Sequence, residues 1–362
     1  MIRILIAAAV AMVASLGGTR LLIAWLSRHR IGQPLRDDGP DGHVTKAGTP
    51  TMGGLAIVGG AGLGYVVSDF YHGIYTLSGI FVMVAIVGAG AVGLLDDWVK
   101  VVRERSLGLN KRTKLLGLLA VGIGFAVLMH EFAPTHTELS FTRFDYPGLD
   151  LGRVLWTLWA VLLISGSANA VNLPDGLDGL AAGASTFCFG AFGVIAFWQF
   201  RYPDVYEVPH ALDLAVVAAA MGGACLGFLW WNAAPARIFM GDTGSLAIGT
   251  GLAALALATN THLLLPVIAG LFVAETLSVI LQVGSFRLFG GRRCLRMAPV
   301  HHHFELSGWP ETTVIVRFWM MSGLCTAAGL GLFYGDALTS GVTGMIGALV
   351  LCTPRSWWSA WV

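Results

Sequence analysis

The stretch LSGIFVMVAIVGAGAVGLLDDWVK, residues 77–100, decides the fold class of this chain. Its first part, residues 77–95, is apolar over a length that lets an α-helix cross the hydrocarbon core of a bilayer. Asp96, Asp97 and Lys100 follow directly. A charge near lipid is costly unless a partner compensates it, so such residues are functional candidates. The stretch therefore predicts a transmembrane helix that ends in a polar site.

The same apolar pattern recurs along the 362 residues, which are 56% hydrophobic and 12% charged, with a mean hydropathy of +0.72. Lipid offers the backbone no hydrogen bonds, so each run is expected to be helical, and no strand alternation competes. We predict an all-α polytopic membrane protein with about ten transmembrane helices. The spans are predicted at residues 4–26, 52–70, 77–95, 115–130, 154–170, 180–200, 212–231, 245–259, 263–284 and 314–334.

Two of these runs, 115–130 and 245–259, are short enough to be partly re-entrant. We predict a single transmembrane catalytic domain over residues 1–334. Residues 335–362 form a C-terminal extension of uncertain structure, with a short apolar piece near 342–352 that suits an interfacial segment.

The basic residues indicate the orientation of the chain in the membrane. Most of its 22 Lys and Arg residues lie in alternate connections, after the first, third, seventh and ninth spans. The positive-inside rule places these connections in the cytoplasm and both termini outside. The acidic residues flank the third, sixth and eighth spans at the same predicted faces. We therefore expect one polar site on the cytoplasmic side of the membrane.

The paired acids Asp96 and Asp97 are the first candidates for a metal site. On a helix, Asp96 and Lys100 lie one turn apart and face the same way. Adjacent carboxylates suit Mg²⁺, which prefers one or two carboxylates with phosphate oxygens and water. The alternative is an ordinary ion pair at a solvated helix end.

The connection between spans five and six, NLPDGLDG at residues 172–179, carries a second polar set. Asn172, Asp175 and Asp178 recur every three residues, so they are expected to share a face of a helical turn. Asn172 is predicted to be an N-cap, with Pro174 in the first turn. Capping does not explain Asp178 or the glycines, which suggest close backbone approach to a ligand.

The connection between spans seven and eight combines an amide, an aromatic ring and an acid in Asn232, Phe239 and Asp242. This set suits a planar ring and a metal ion. Helix capping by Asp242 is the alternative.

Three further features carry weaker signals. His301, His302 and His303 are adjacent, so their side chains diverge and a single zinc centre is not expected; phosphate or sugar contact, or a solvated loop, remain open. Lys46, ahead of a glycine-rich helix start, is either a phosphate or nucleobase contact or an ordinary positive-inside lysine. Glu275 lies inside span nine, paired with a hydroxyl or facing a cavity, and has no assigned role.

Taken together, five stretches resemble the phospho-N-acetylmuramoyl-pentapeptide-transferase family over roughly residues 20–334. They are GTPTMGG, DDWVK, NAVNLPDGLDGLA, IFMGDTGSLA and PVHHHFELSGWPE, in the expected order. The resemblance implies transfer of phospho-MurNAc-pentapeptide from its UDP derivative to undecaprenyl phosphate, giving lipid I and UMP. It further implies Mg²⁺, ten transmembrane helices, a cytoplasmic-face active-site cleft, a homodimer in the bacterial inner membrane and no nucleic-acid partner.

The resemblance also implies roles for individual residues. Asp242 matches the metal-binding aspartate, and Asp96 and Asp97 match paired catalytic acids that are further metal candidates. Lys100, Lys114 and His301 are placed with catalysis, and Gln282 lies near the pyrophosphate and sugar with His301. The uridine and sugar side is formed by Lys46, Thr51, Asn172, Asp175, Asp178, Asn232, Phe239, His302 and His303.

Alternatives remain at the level of mechanism and substrate. Direct attack by the lipid phosphate, with Asp96 as base or positioner, competes with a covalent intermediate on Asp242 or Asp97. A transferase of another UDP-sugar, such as UDP-GlcNAc, is the nearest rival. A secondary transporter is a rival from another class, although its polar groups would lie near the midplane, often within inverted repeats. Pro174 and the extension after residue 334 depart from the family pattern.

Overall fold

The computed structural model describes residues 1–29, 48–71, 75–103, 108–208 and 210–339. Within these ranges the chain is predominantly helical, as predicted. The helices are α1 Ile2–Arg28, α2 Gly54–Asp69, α3 Leu77–Val102, α4 Lys111–Phe132, α5 Gly152–Asn172, α6 Leu180–Arg201, α7 Pro203–Tyr206, α8 Ala211–Asn232, α9 Gly241–Ala258, α10 Leu265–Ile268, α11 Gly270–Leu288, α12 Val300–Glu305 and α13 Glu311–Thr339.

The ten predicted spans correspond to α1–α6, α8, α9, α11 and α13. Among the described helices, eight are long and apolar enough to cross a membrane, and α2 is a shorter apolar helix. The protein is thus a polytopic membrane protein. Predicted span nine is interrupted at Ala269, between α10 and α11. Helix α13 continues to Thr339, past the predicted boundary at residue 334.

Helix α9 lies at the centre of the helices. Every residue from Asp242 to Ala258 is buried, and α9 packs against α3 on one side and α5 on the other. Glycines permit this close packing. A Cβ on Gly93 of α3 would lie 2.1 Å from the Asp242 carbonyl oxygen, and one on Gly54 of α2 would lie 2.0 Å from the Gly244 nitrogen. The helix backbones therefore approach too closely for any larger residue at these positions.

A two-stranded antiparallel hairpin, which the sequence did not predict, lies between α4 and α5. Strand β1 spans Glu138–Arg143 and β2 spans Tyr146–Asp150. His262 anchors β1: its Nδ1 accepts from Trp159 Nε1 at 2.8 Å, and its Nε2 lies 3.2 Å from the Glu138 carbonyl. Nε2 also lies 3.2 Å from the Ser140 N–H, so the ring contacts two backbone groups of β1. Burial lowers the pKa of His262 to about 4.

The membrane end that carries this hairpin also holds a buried ion cluster. Asp213 at the start of α8 accepts from Tyr65 Oη at 2.8 Å, Thr76 Oγ1 at 2.8 Å and Arg3 Nη2 at 3.1 Å. Arg3 also pairs with Asp69. These contacts tie α1, α2, α3 and α8 together at the end of the molecule opposite the predicted site.

Candidate active site

Three acids from two distant segments meet at one end of the helices. Asp96 and Asp97 lie in the last turns of α3, and Asp242 lies in the first turn of α9. One oxygen from each lies within 4.8 Å of the others, and all three side chains are buried. Carboxylate oxygens at this spacing can hold a hard divalent cation.

Two lysines lie against these carboxylates. Lys100 Nζ is 2.7 Å from Asp96 Oδ2, 3.3 Å from Asp97 Oδ1 and 3.0 Å from Asp242 Oδ2. Lys114 Nζ, from the first turn of α4, is 2.7 Å from the same Asp242 oxygen. Three carboxylates and two ammonium groups leave one net negative charge in the cluster. This excess negative charge allows the cluster to bind a cation.

Asp97 differs from the other two acids because its oxygens face the N-terminus of α9. Oδ1 accepts the Asp242 backbone N–H at 3.1 Å, and Oδ2 accepts the Thr243 N–H at 2.9 Å and its Oγ1 at 2.7 Å. A carboxylate at this place satisfies free N–H groups and complements the helix dipole. Asp97 on α3 thus caps α9 and fixes the position of Asp242. Thr243 was not among the predicted site residues, although it directly follows Asp242 in the sequence.

Asp96 holds the chain beyond α3. Its Oδ1 accepts the Leu109 N–H at 2.8 Å, while its Oδ2 faces Lys100. A Cβ on Gly108 would lie 2.6 Å from the Asp96 carboxyl carbon, so only glycine permits this approach. Asp96 accordingly links α3 to the segment that leads into α4.

Asn172 and Asp175 extend the cluster from the turn between α5 and α6. Asn172, the last residue of α5, occupies the predicted N-cap position of the 3₁₀ turn Leu173–Gly176, with Pro174 in the first turn, but its side chain forms no cap bond. Its Nδ2 instead donates to Asp242 Oδ1 at 2.7 Å. Asp175 interacts with the Gly241 backbone N–H and with the charges of Asp242 and Asp97.

Asp178 and Asn232 clamp two connecting segments together. Asp178 Oδ2 accepts the Ala236 N–H at 2.9 Å. Asn232 Oδ1 accepts the Gly179 N–H at 3.1 Å, and its Nδ2 donates to the Ile238 carbonyl at 2.9 Å. Both side chains are almost fully buried. They therefore fix the turn after α5 against the segment that leads into α9.

Phe239 belongs to the same segment and is partly buried beside residues 50–53. Its N–H donates to the Pro50 carbonyl at 2.8 Å, and its carbonyl accepts the Gly53 N–H at 2.9 Å. Thr51 is 6% exposed and adjoins Gly241. Lys46 lies outside the described residues.

The histidine stretch lies in the short helix α12, and its side chains diverge only in part: the rings of His301 and His302 pack edge to face with centroids 4.1 Å apart, whereas His303 has a separate partner. His301 is fully buried, with Nδ1 3.1 Å from Glu275 Oε2. His302 Nδ1 lies 2.7 Å from Glu305 Oε2, and His303 Nδ1 accepts the Arg296 N–H at 3.1 Å.

Gln282 is placed beside the same region but contacts backbone. Its Oε1 accepts the Leu295 N–H at 2.9 Å, and its Nε2 donates to the Leu295 carbonyl at 3.0 Å. The structure therefore shows Gln282 holding the segment before α12. Sequence reasoning could not find this contact, because a backbone partner leaves no signal.

The fold and the acid–lysine cluster define a class: a polytopic membrane protein with a buried site suited to phosphate chemistry. The sequence profile of glycosyl transferase family 4 matches residues 79–260, and a phospho-N-acetylmuramoyl-pentapeptide-transferase signature matches residues 46–58. The chain is thus a membrane-embedded transferase.

Curated relatives narrow this class. A phospho-N-acetylmuramoyl-pentapeptide-transferase of Streptomyces avermitilis is 50% identical over 92% of this chain and 97% of its own length. One from Cutibacterium acnes is 49% identical over 92% of this chain and 98% of its own. One from Streptomyces coelicolor is 50% identical over 93% and 99%. The chain belongs to the phospho-N-acetylmuramoyl-pentapeptide-transferase family.

Proposed function

We propose that this protein transfers phospho-MurNAc-pentapeptide from UDP-MurNAc-pentapeptide to undecaprenyl phosphate, giving lipid I and UMP for peptidoglycan biosynthesis. The observation that carries the proposal is the meeting of Asp96, Asp97 and Asp242 with Lys100 and Lys114 at one membrane end. Family membership supplies the substrate class. A buried site of mixed charge suits two phosphate-bearing substrates.

Mg²⁺ is the metal that this donor set fits. The three clustered residues offer only carboxylate oxygens, which hard cations prefer, and the cluster carries excess negative charge. Asp242 is the principal ligand in the proposal, with Asp96 and Asp97 as further candidates. When bound, the cation neutralises charge on phosphoryl oxygens.

The chain's own residues orient the reacting phosphates. Lys100 and Lys114 are charged donors that can bind phosphate oxygens as negative charge moves to the leaving UMP. Asn172 holds the Asp242 carboxylate by its hydrogen bond to Oδ1. We propose direct attack by the lipid phosphate, positioned by Asp96, because a phosphate monoester is ionised near neutral pH and needs little deprotonation. Incubation with UDP-MurNAc-pentapeptide alone tests this step, since a trapped phospho-sugar adduct on the protein would overturn it.

The uridine is proposed to bind between the turn after α5 and the segment before α9. Phe239 offers a ring for stacking on uracil, and Asp175 interacts with the charges of Asp242 and Asp97 in the cluster. Asp178 and Asn232 hold the two segments together, and Lys46 and Thr51 belong to the same side. His301, His302, His303 and Gln282 are proposed for the sugar and pyrophosphate side.

The lipid acceptor is proposed to lie along an apolar cavity of about 270 Å³ between α5, α9, α10 and α11. Its lining includes Leu163, Val171, Leu252 and Phe272. Val171 directly precedes Asn172, so one end of the cavity adjoins the acid cluster. An apolar chain seated there would present its phosphate to Lys100.

The proposed location is the bacterial inner membrane, with the site facing the cytoplasm and two copies forming a homodimer. Cys294 is exposed in the segment after α11, at the site's end of the molecule. The test uses a Cys352→Ser variant, which removes the cysteine of the C-terminal extension. In this variant a membrane-impermeant maleimide should label Cys294 in inverted vesicles and not in intact cells. Labelling in intact cells would place the site outside.

The decisive experiment is UMP release by the purified protein with both substrates, with and without Mg²⁺. We expect release that chelation abolishes and added Mg²⁺ restores. Equal release without a divalent cation would refute the metal assignment. Turnover of UDP-GlcNAc in place of the muramoyl substrate would refute the substrate assignment.

A further inference from the structure

Helix α11 carries a polar face within an otherwise apolar span. Glu275, Ser278 and Gln282 are spaced by three and four residues, so they lie on one side of the helix. All three contact residues 295–301, which lead into and begin α12. A membrane-spanning helix rarely carries such groups without a function.

Ser278 and Gln282 bind this segment through its backbone. Gln282 binds both the N–H and the carbonyl of Leu295. Ser278 Oγ accepts the Val300 N–H at 3.0 Å. The segment therefore runs antiparallel to α11 and brings the next residue, His301, beside Glu275.

Glu275 and His301 form a fully buried pair. Both side chains are 0% exposed, and Glu275 Oε2 lies 3.1 Å from His301 Nδ1. Within the described residues, no carboxylate oxygen of Glu275 and no ring nitrogen of His301 has a hydrogen-bond partner, so the two groups lie at ion-pair distance without hydrogen-bond geometry. A buried carboxylate is costly without a donor, and the imidazole N–H is the donor within reach.

The other nitrogen of His301, Nε2, is buried in this structure and has no hydrogen-bond partner among the described residues, so a substrate group that reaches it would supply one. A Cβ on Gly176 would lie 3.9 Å from His301 Nε2 and equally 3.9 Å from His302 Nε2, so both rings reach the same turn. Gly176 follows Asp175 in the turn that adjoins the acid cluster. Because Nδ1 is paired with Glu275, Nε2 is the ring nitrogen that remains to contact a ligand at this turn.

We propose that Glu275 is a positioning residue for His301, holding its ring so that Nε2 meets the UDP-linked substrate. This inference rests on the proposed function, because it requires His301 to contact that substrate. Glu275 itself touches no reacting atom. Glu275 affects turnover only through the imidazole of His301. Experiments can therefore distinguish this positioning role from a role in packing.

A double-mutant cycle tests the proposal. Glu275→Leu suits a membrane helix and removes the acceptor, and we expect a roughly 10- to 100-fold lower kcat/KM for UDP-MurNAc-pentapeptide, as for carboxylates that orient functional histidines. The KM for undecaprenyl phosphate should stay unchanged. Glu275→Gln retains an oxygen that can accept the Nδ1 proton and should recover most of the activity. Glu131→Gln, an exposed glutamate at the opposite membrane end, is the matched control.

The variant Glu275→Leu combined with His301→Asn should be no worse than His301→Asn alone, because the first residue acts through the second. Additive losses, or equal losses for both substrates, would assign Glu275 to packing and overturn the inference. Wild-type activity in Glu275→Leu would overturn it as well. Absence of Mg²⁺-dependent UMP release by the wild-type protein would instead refute the proposed function.

Discussion

The capping contact between Asp97 and α9 predicts different roles for two acids of the cluster, Asp97 and Asp242, which the sequence alone does not distinguish. Asp97→Asn keeps one carbonyl oxygen, which can still serve Thr243. Its amide NH₂ then faces the Asp242 N–H, which loses its acceptor. The lost charge at a helix N-terminus and one buried unsatisfied N–H together cost about 3 kcal/mol.

Asp242→Asn should affect turnover more than stability. It removes one of three clustered negative charges, while Lys100 keeps Asp96 and Asp97 as partners. Lys114 loses its carboxylate and is only 20% exposed, but the two acids and two lysines that remain balance in charge, so the stability change should be smaller than for Asp97→Asn, about 1–2 kcal/mol. Turnover should be abolished, because the principal proposed metal ligand is gone.

Both variants are compared with the wild type by thermal unfolding in detergent and by Mg²⁺-dependent UMP release. We expect Asp97→Asn to lower the melting temperature by several degrees and Asp242→Asn to lower it less. An unchanged melting temperature for Asp97→Asn would refute the capping argument. Near-normal turnover in Asp242→Asn would remove Asp242 from the mechanism.

Three further outcomes follow from contacts elsewhere. Gly93→Ala should destabilise the protein by about 1–3 kcal/mol, because its Cβ would overlap the Asp242 backbone, whereas Gly59→Ala, with open space around it, should be neutral or stabilising in thermal unfolding. Lys114→Gln should lower turnover about 100-fold with little change in melting temperature, since it removes one charged donor; unaltered kcat would contradict this. His262 has a folded pKa of about 4, below its ordinary 6.5, so its contribution of about 3 kcal/mol is complete above pH 6.5 and is lost as pH falls toward 4. His262→Gln should flatten this part of a pH–stability curve, and an unchanged curve would show that another group titrates.

The helical type of the long apolar runs was predictable from sequence because apolar length is a direct signature of a span, although eight of the described helices, not ten, are long and apolar enough to cross a membrane. The break at Ala269 was not predictable, since the flanking residues are apolar on both sides. The hairpin could not be predicted from sequence for a different reason. In β1 the buried side chains are Ser140 and Thr142, which reverses the usual apolar-in alternation. Here the strand packs on polar partners.

The site was predictable as a set of residues and less so as a geometry. Alternating basic connections and acids at span ends predicted that Asp96, Asp97 and Asp242 would share one end of the molecule, and the structure brings them together. The different contacts of these three acids depend on backbone N–H groups, which every residue except proline carries. Sequence therefore could not show that Asp97 faces α9.

Enclosure of α9 has a consequence for variation and for motion. A helix without a lipid-facing side cannot roll or tilt unless its neighbours yield, so rearrangements during turnover belong to the connecting segments. In a saturation mutagenesis library, positions 242–258 should accept few replacements, whereas the outward side of α4, where Leu116 and Ile123 are exposed, should accept many apolar ones.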